Sequence, residues 1–293
     1  MDYKKDVAIL RCLARKYAEI AQDDSNGKLR ILHRAVNDLQ MIRPVVLIDD
    51  LPWGELNING ELTLQCQDKD FRTAETYMRQ TLYRFYHFRA DMIVRPYIPV
   101  EKIIHSTGYG IEIQEETIQH NGDTHIVSHE YQDQFADCEG LEKLHKCVIT
   151  YDEEATNQIY YKIANAIGDI IPVKKTGQNY LSAVTWDNIA EYRIVEQIPN
   201  LRKISITPWA DVNVAAQAIG KKYVMAAKPN PASVAMGVLD KAELRKEVMG
   251  IVDACYKNGC AFDFALKDIS TVGHNPNVVT EWEEIVMDII THY

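Results

Sequence analysis

Six short apolar segments along the chain run into charged or aromatic residues. Val45-Val46-Leu47-Ile48 is followed by Asp49, Asp50 and Trp53. The run Met92 to Ile98 carries Arg95 and Tyr97, and Ile170 to Val173 leads to Lys174, Lys175 and Gln178. Lys203 to Thr207 precedes Trp209 and Asp211, Tyr223 to Ala227 precedes Lys228 and Asn230, and Phe262 to Leu266 precedes Lys267, Asp268 and His274. Parallel strands in barrels and open α/β sheets bind ligands outside their C-terminal ends. Asp49 and Asp268 are therefore the candidate catalytic acid, base or hydrogen-bond acceptor. Trp53, Arg95, Tyr97, Lys174, Trp209, Lys228, Lys267 and His274 are the candidate substrate contacts, suited to an anionic or planar ligand. Strand ends meet water in any such fold, so each of these residues also has an ordinary solvated reading. Asp211 has two readings, as a rim residue or as the cap of the helix it opens.

Other chemistries are weaker. His120, His125 and His129 are close in sequence. Their surroundings read as a hairpin, where residues four apart share a face but sit about 13 Å from each other, so exposed histidines are the simpler reading. Cys255 and Cys260 flank a helix-to-strand turn at Gly259. Cys255 reads as a core residue facing the sheet, and Cys260 is a weak candidate thiol ligand. The chain has no GxGxxG, Walker loop, HExxH or GxSxG, and Gly108-Tyr109-Gly110 lacks the strand–turn–helix setting of a dinucleotide site. The aromatic set Tyr77, Tyr83, Phe85, Tyr86 and Phe88 reads as helix packing.

The elements that position these residues alternate. Helical spacing is seen over Val7 to Ile20, Leu29 to Met41, Phe71 to Ala90, and Asp152 to Ile167, where Gly168 follows. It recurs over Asp211 to Ile219, Lys241 to Lys257 and Val278 to Ile290, with Gly220 and Gly259 at two of the ends, and Glu191 to Pro199 reads as a further amphipathic helix. Strands near residues 45, 94, 171, 205, 225 and 264 lie between them, the pattern of βα units and a parallel sheet. Residues 101–150 instead alternate apolar and polar around Asn121-Gly122, which predicts a β-hairpin insertion.

The chain has 293 residues with 32 Lys+Arg against 42 Asp+Glu, a net charge of −10. That argues against a general nucleic-acid binder. No apolar run approaches the roughly 18 residues of a membrane span, and the charged start Met1-Asp2-Tyr3-Lys4-Lys5-Asp6 does not read as a signal-peptide core. Six cysteines without a CxxC pair suit reduced thiols and a cytoplasmic setting. The expected organisation is one α/β domain over 1–293, with an N-terminal helical arm at 1–42 and the β-rich insertion at 101–150.

Several segments together resemble one superfamily. They are Arg43-Pro44-Val45-Val46 with Pro52-Trp53, Glu61 to Cys66, His87 to Met92, Ile204 to Asp211, Lys228-Pro229-Asn230-Pro231, and Leu266 to Val272. In this order they resemble the uroporphyrinogen decarboxylase superfamily, and within it a bacterial branch described as uroporphyrinogen-decarboxylase-like. The resemblance implies a TIM (β/α)8-type barrel with its ligand at the C-terminal rim. Only about six strands are counted where the barrel needs eight, and too few residues lie between Lys174 and Arg202 for the rest. The expectation is a barrel shortened by about two βα units. Its open edges would be covered by the insertion or by a second copy in a homodimer.

The resemblance implies methyl (one-carbon) transfer involving a corrinoid or thiol substrate, with a corrinoid protein as a partner. Zinc in such enzymes deprotonates the thiol, but their His-x-Cys segment is not found here. A second implied reaction is decarboxylation of uroporphyrinogen or a related porphyrinogen. There the arginine-rich signature is replaced by Asp49-Asp50-Leu51-Pro52-Trp53. A third alternative is a degenerate, non-catalytic binding protein.

Overall fold

A computed structural model describes residues 3–110, 114–119, 127–131, 142–177, 185–186 and 198–293. The fold is α/β, and the chain divides into two compact units. The first comprises Met1–Ala18, Leu64–Met78 and Pro96–Tyr180, and the second Glu19–Thr63, Arg79–Arg95 and Leu181–Tyr293.

The second unit is built on a five-stranded sheet. Its strands are β1 (Val45–Ile48), β8 (Thr185–Trp186), β9 (Lys203–Ile206), β10 (Val224–Ala227) and β11 (Phe262–Leu266), in the order β1-β11-β10-β9-β8. Every pairing is parallel. The last strand thus lies between β10 and the first strand, with Val46 opposite Phe264 and Ala227 opposite Phe264 on the other side. Among the described residues the strands do not close into a barrel.

One face of this sheet is apolar. Val46, Ile48, Ile204, Ile206, Met225, Phe262, Phe264 and Leu266 pack in one cluster with helices α6 (Val212–Ile219), α8 (Lys241–Asn258) and α9 (Asn277–His292). Each large apolar side chain buried this way contributes about 1.5–3 kcal/mol before entropy is counted. On the other face Val45 and Val224 meet Val36 of α2 (Ser25–Asn37). The row Ser205, Ala226, Asp263 and Val45 crosses that face in register. Its one carboxylate, Asp263, is buried and paired with Lys203.

The helix boundaries follow their caps. Asp211 accepts from the Asn213 and Val214 N–H groups, so the capping reading of this residue holds. Asp240 does the same for Ala242 and Glu243. Gly259 ends α8 at φ 65°, a left-handed conformation that glycine adopts at little cost.

The first unit holds β2 (Ile98–Glu101) parallel to β7 (Val173–Thr176), and helix α5 (Glu153–Ile167), capped by Asp152. Two antiparallel pairs form the insertion: β3 (Ile103–Ser106) with β6 (Ile149–Asp152), and β4 (Glu115–Gln119) with β5 (Val127–Tyr131). The antiparallel excursion expected from the sequence is therefore present. Its Asn121-Gly122 turn, His120 and His125 lie outside the described residues, as does the helix expected at Glu191 to Pro199. His129 sits in β5 opposite Thr117. The two remaining helices near the N-terminus are α1 (Tyr3–Ala21) and α4 (Lys69–His87), and α3 (Trp53–Leu56) and α7 (Ala232–Ala235) are single turns.

Two expected strands begin later than the sequence suggests. Met92 to Tyr97 is irregular, because the Val94 N–H is taken by the Asn26 side chain at 2.9 Å and Pro96 has no N–H to donate. β2 starts only at Ile98. The Ile170 and Ile171 N–H groups both bond the Ile167 carbonyl, at 2.9 and 3.1 Å, and so finish the end of α5 rather than start a strand. β7 starts at Val173.

Candidate functional site

The parallel pairing of β1 and β11 carries on past both strands: the Asp49 N–H donates to the Leu266 carbonyl at 2.8 Å. Asp49 and Asp50 therefore leave the sheet beside Lys267 and Asp268. Lys267 Nζ lies 3.3 Å from Asp50 Oδ2 and 3.6 Å from Asp268 Oδ1. Burial works against the Lys267 ammonium, but the two carboxylates more than offset it and hold its pKa above the ordinary lysine value. Asp49 Oδ1 lies 3.1 Å from Arg84 of α4, which also donates to the Ile48 carbonyl at 2.5 Å.

The backbone here is unusual. Asp50 has φ 50°, Asp268 φ 60° and His274 φ 56°. Left-handed residues other than glycine are uncommon, and they gather at functional sites when the surroundings hold them in place. Glu55 of α3 is one such holder. Its Oε2 accepts from the Thr271 hydroxyl at 2.8 Å, the Val272 N–H at 2.9 Å and the His274 N–H at 3.4 Å. Burial raises the Glu55 pKa, and these bonds outweigh it, leaving the carboxyl below its usual range. The loop after β11 also touches the loop after β10. The Asn275 side chain donates to the Gly237 carbonyl at 2.7 Å, and Gly237 and Gly273 lie backbone to backbone.

An aromatic wall adjoins α3. Trp53 meets Tyr83 edge-on at 6.3 Å, Tyr83 lies 4.2 Å from the His87 ring, and His87 Nε2 is 3.1 Å from Glu61. Burial, and then the Glu61 charge, push the Tyr83 phenol up. A cavity of about 180 Å³ lies between Tyr83, His87 and the Asn275–Asn277 start of α9.

The second unit thus brings together Asp49, Lys267 and Asp268, with Trp53 and His274 on the flanking segments. It does not bond the other sequence candidates to that group. Trp209 is 79 % exposed. Lys228 lines a different cavity, on the helix side of β9 and β10. Arg95 is half-buried, with no ion pair among the described residues. Tyr97 and Lys174 belong to the first unit, where the Lys174 ammonium lies 4.8 Å from the Tyr97 ring centre. Glu55 and Arg84 were not among the candidates. Their only sequence signal is charge on amphipathic segments, and their partners are remote in sequence.

The arrangement offers three carboxylates, Asp49, Asp50 and Asp268, against two cations, Arg84 and Lys267. It can accept hydrogen bonds from N–H groups, exchange a proton, and hold one anionic atom beside Lys267. Among the described residues no three His, Cys, Asp or Glu side chains converge to hold a metal ion. Cys260 is buried against Cys255, which raises the Cys255 pKa through their hydrogen bond and then burial. The donor set described does not fit zinc.

No family model, no curated protein and no solved structure matches the chain. No helix among the described residues is long and apolar enough to cross a membrane.

Proposed function

We propose that this chain is an enzyme of the kind its sequence resembles, a shortened (β/α)8-type barrel that carries out methyl transfer at the C-terminal edge of its sheet. The observation that carries the reading is the strand order. In a (β/α)8 barrel the last strand pairs parallel with the first; the parallel pairing of β11 with β1 supports this reading. The pairing also sets Asp49, Asp50, Lys267 and Asp268 side by side where ligands bind in this architecture. In the reaction, the thiol of the substrate gives its proton to Asp49 or Asp268. A bound methyl-corrinoid would supply the methyl group to the thiolate sulfur. The Lys267 ammonium stabilises the thiolate, as cations beside thiols do.

Decarboxylation of a porphyrinogen is the second reading, and one observation favours it: an acceptor-rich edge with three aspartates suits the N–H groups of pyrroles. One experiment addresses both. The purified protein is incubated anaerobically with methylcobalamin and a panel of thiols, and separately with uroporphyrinogen, with products read by mass spectrometry. The proposal expects a methyl thioether that is lost in Asp268→Asn. Loss of CO₂ from the porphyrinogen instead would replace it with the second reading. Neither product would overturn both.

A further inference from the structure

We infer that the cavity on the helix side of β9 and β10 is a binding site for a short-chain carboxylate with an apolar tail. The site lies at the ends of β9 and β10 and does not include the Asp49, Lys267 and Asp268 group at the ends of β1 and β11. The cavity measures about 300 Å³, at the low end of the roughly 300–1,000 Å³ of small-molecule pockets. Its floor is apolar, made by Ile206 of β9, Met225 and Ala227 of β10, and Ile251 of α8. Three residues at its wall and mouth, Lys228, Thr207 and Gly250, point to what fills it.

Lys228 lines the cavity and has no ion pair or side-chain hydrogen bond among the described residues. The other lysine there, Lys246, is occupied by Glu243 at 3.3 Å. Thr207 stands in the same wall, and its hydroxyl oxygen is buried with no hydrogen-bond partner. A polar atom buried this way is costly unless something bonds it. A ligand oxygen at that wall supplies the missing partner, and a carboxylate satisfies both the ammonium and the hydroxyl.

Two carboxylates, Glu243 and Glu247, also line the cavity, and Glu243 is paired with Lys246. Glu247 Oε1 is held by the Asn230 N–H at 2.8 Å. Burial, opposed by that bond and aided by Glu243, raises the Glu247 pKa.

The most telling residue is Gly250. It lies inside α8, where glycine weakens a helix relative to alanine. Nothing in the fold requires it: its φ is not left-handed, and a Cβ added there meets no atom within 4 Å. Gly250 is exposed at the mouth of the cavity that it lines. On this inference a large side chain here would narrow that mouth.

Hexanoate serves as the probe, with hexylamine as the matched amine, and binding is read from the ¹³C-methyl signal of Met225. The site predicts a saturable shift with hexanoate, with Kd of about 1 mM or tighter, and none with hexylamine. Lys228→Met weakens hexanoate by about tenfold or more. Gly250→Leu abolishes the shift while keeping the helical circular dichroism and a thermal midpoint no lower than the parent's. Gly250→Ala serves as the folding control if leucine perturbs the helix. Three results would each overturn the inference: a Met225 signal unmoved by hexanoate up to about 20 mM, equal hexanoate affinity in parent, Lys228→Met and Gly250→Leu, or hexylamine binding as tightly as hexanoate.

Discussion

Replacing Glu55 by glutamine keeps its size and one carbonyl acceptor but removes its charge. In the parent, one carboxylate oxygen takes two good bonds, from Thr271 and Val272, and a long one from His274. A hydrogen bond to a charged partner contributes about 1.5–3 kcal/mol, and a neutral one about 0.5–1.5. The difference is about 1 kcal/mol for each good bond. Because Glu55 is only half-buried, about 1–2 kcal/mol is the expected loss. That loss falls first on the loop after β11. Amide exchange at Val272 is therefore expected to speed up by about tenfold, since 1.4 kcal/mol is a factor of ten.

The same substitution sets a pH dependence. The folded pKa of Glu55 is depressed, so its contribution is present above the unfolded value, near 4.3, and is lost as pH falls through the folded value. The parent is expected to lose stability below about pH 4.3 more steeply than Glu55→Gln does. Urea unfolding from neutral to acid pH, with exchange measured at Val272, tests this. An unchanged urea midpoint together with unchanged Val272 exchange would refute the account of Glu55 as the clamp of that loop.

Three further perturbations follow from the same structure. Asp91 is buried and accepts two bonds from Arg43, at 2.8 and 2.6 Å, and one from the Val46 N–H at 2.9 Å. Asp91→Ala should cost about 3 kcal/mol in urea unfolding, at the low end for a broken buried pair because Arg43 keeps some contact with water; a loss under about 1 kcal/mol would contradict this. Gly273→Ala places a Cβ 2.6 Å from the Gly237 nitrogen at φ 57°. It should lower stability by about 2–4 kcal/mol, whereas Gly54→Ala, with open space at its Cβ, should stay within about 0.5 kcal/mol. Lys203→Met leaves the buried Asp263 carboxylate alone and should cost about 3–5 kcal/mol, while Lys203→Met with Asp263→Leu should recover most of it. A double variant no better than the single would show that the pair is not coupled.

The sequence makes β1, β9, β10 and β11 legible because each is a continuous apolar run bounded by turn residues. Helix limits show at Asp152, Asp211 and Gly259. β2 and β7 are misplaced by a few residues because their apolar runs serve other bonds. Val94 is held by a side chain from α2, and Ile170 and Ile171 finish a helix. No local pattern announces either use. Part of the strand-end group is legible in the same way, since Asp49, Lys267 and Asp268 simply follow their strands. Glu55 and Arg84 are not. The Glu55 contact with Thr271 spans 216 positions, and that of Arg84 with Ile48 spans 36. The Glu55 role arises from the placement of β11 beside β1, a property of the whole sheet, and that of Arg84 from the packing of α4 against the end of β1.

The placement of β11 beside β1 is best tested by interstrand nuclear Overhauser contacts between backbone amides in isotope-labelled protein. The account predicts contacts of β11 with both neighbours, from Ala265 to the Leu47 region and from Asp263 to the Ala226 region, in parallel register. Contacts of β11 with β10 but none with β1 would separate Asp49 from Asp268 and contradict the site.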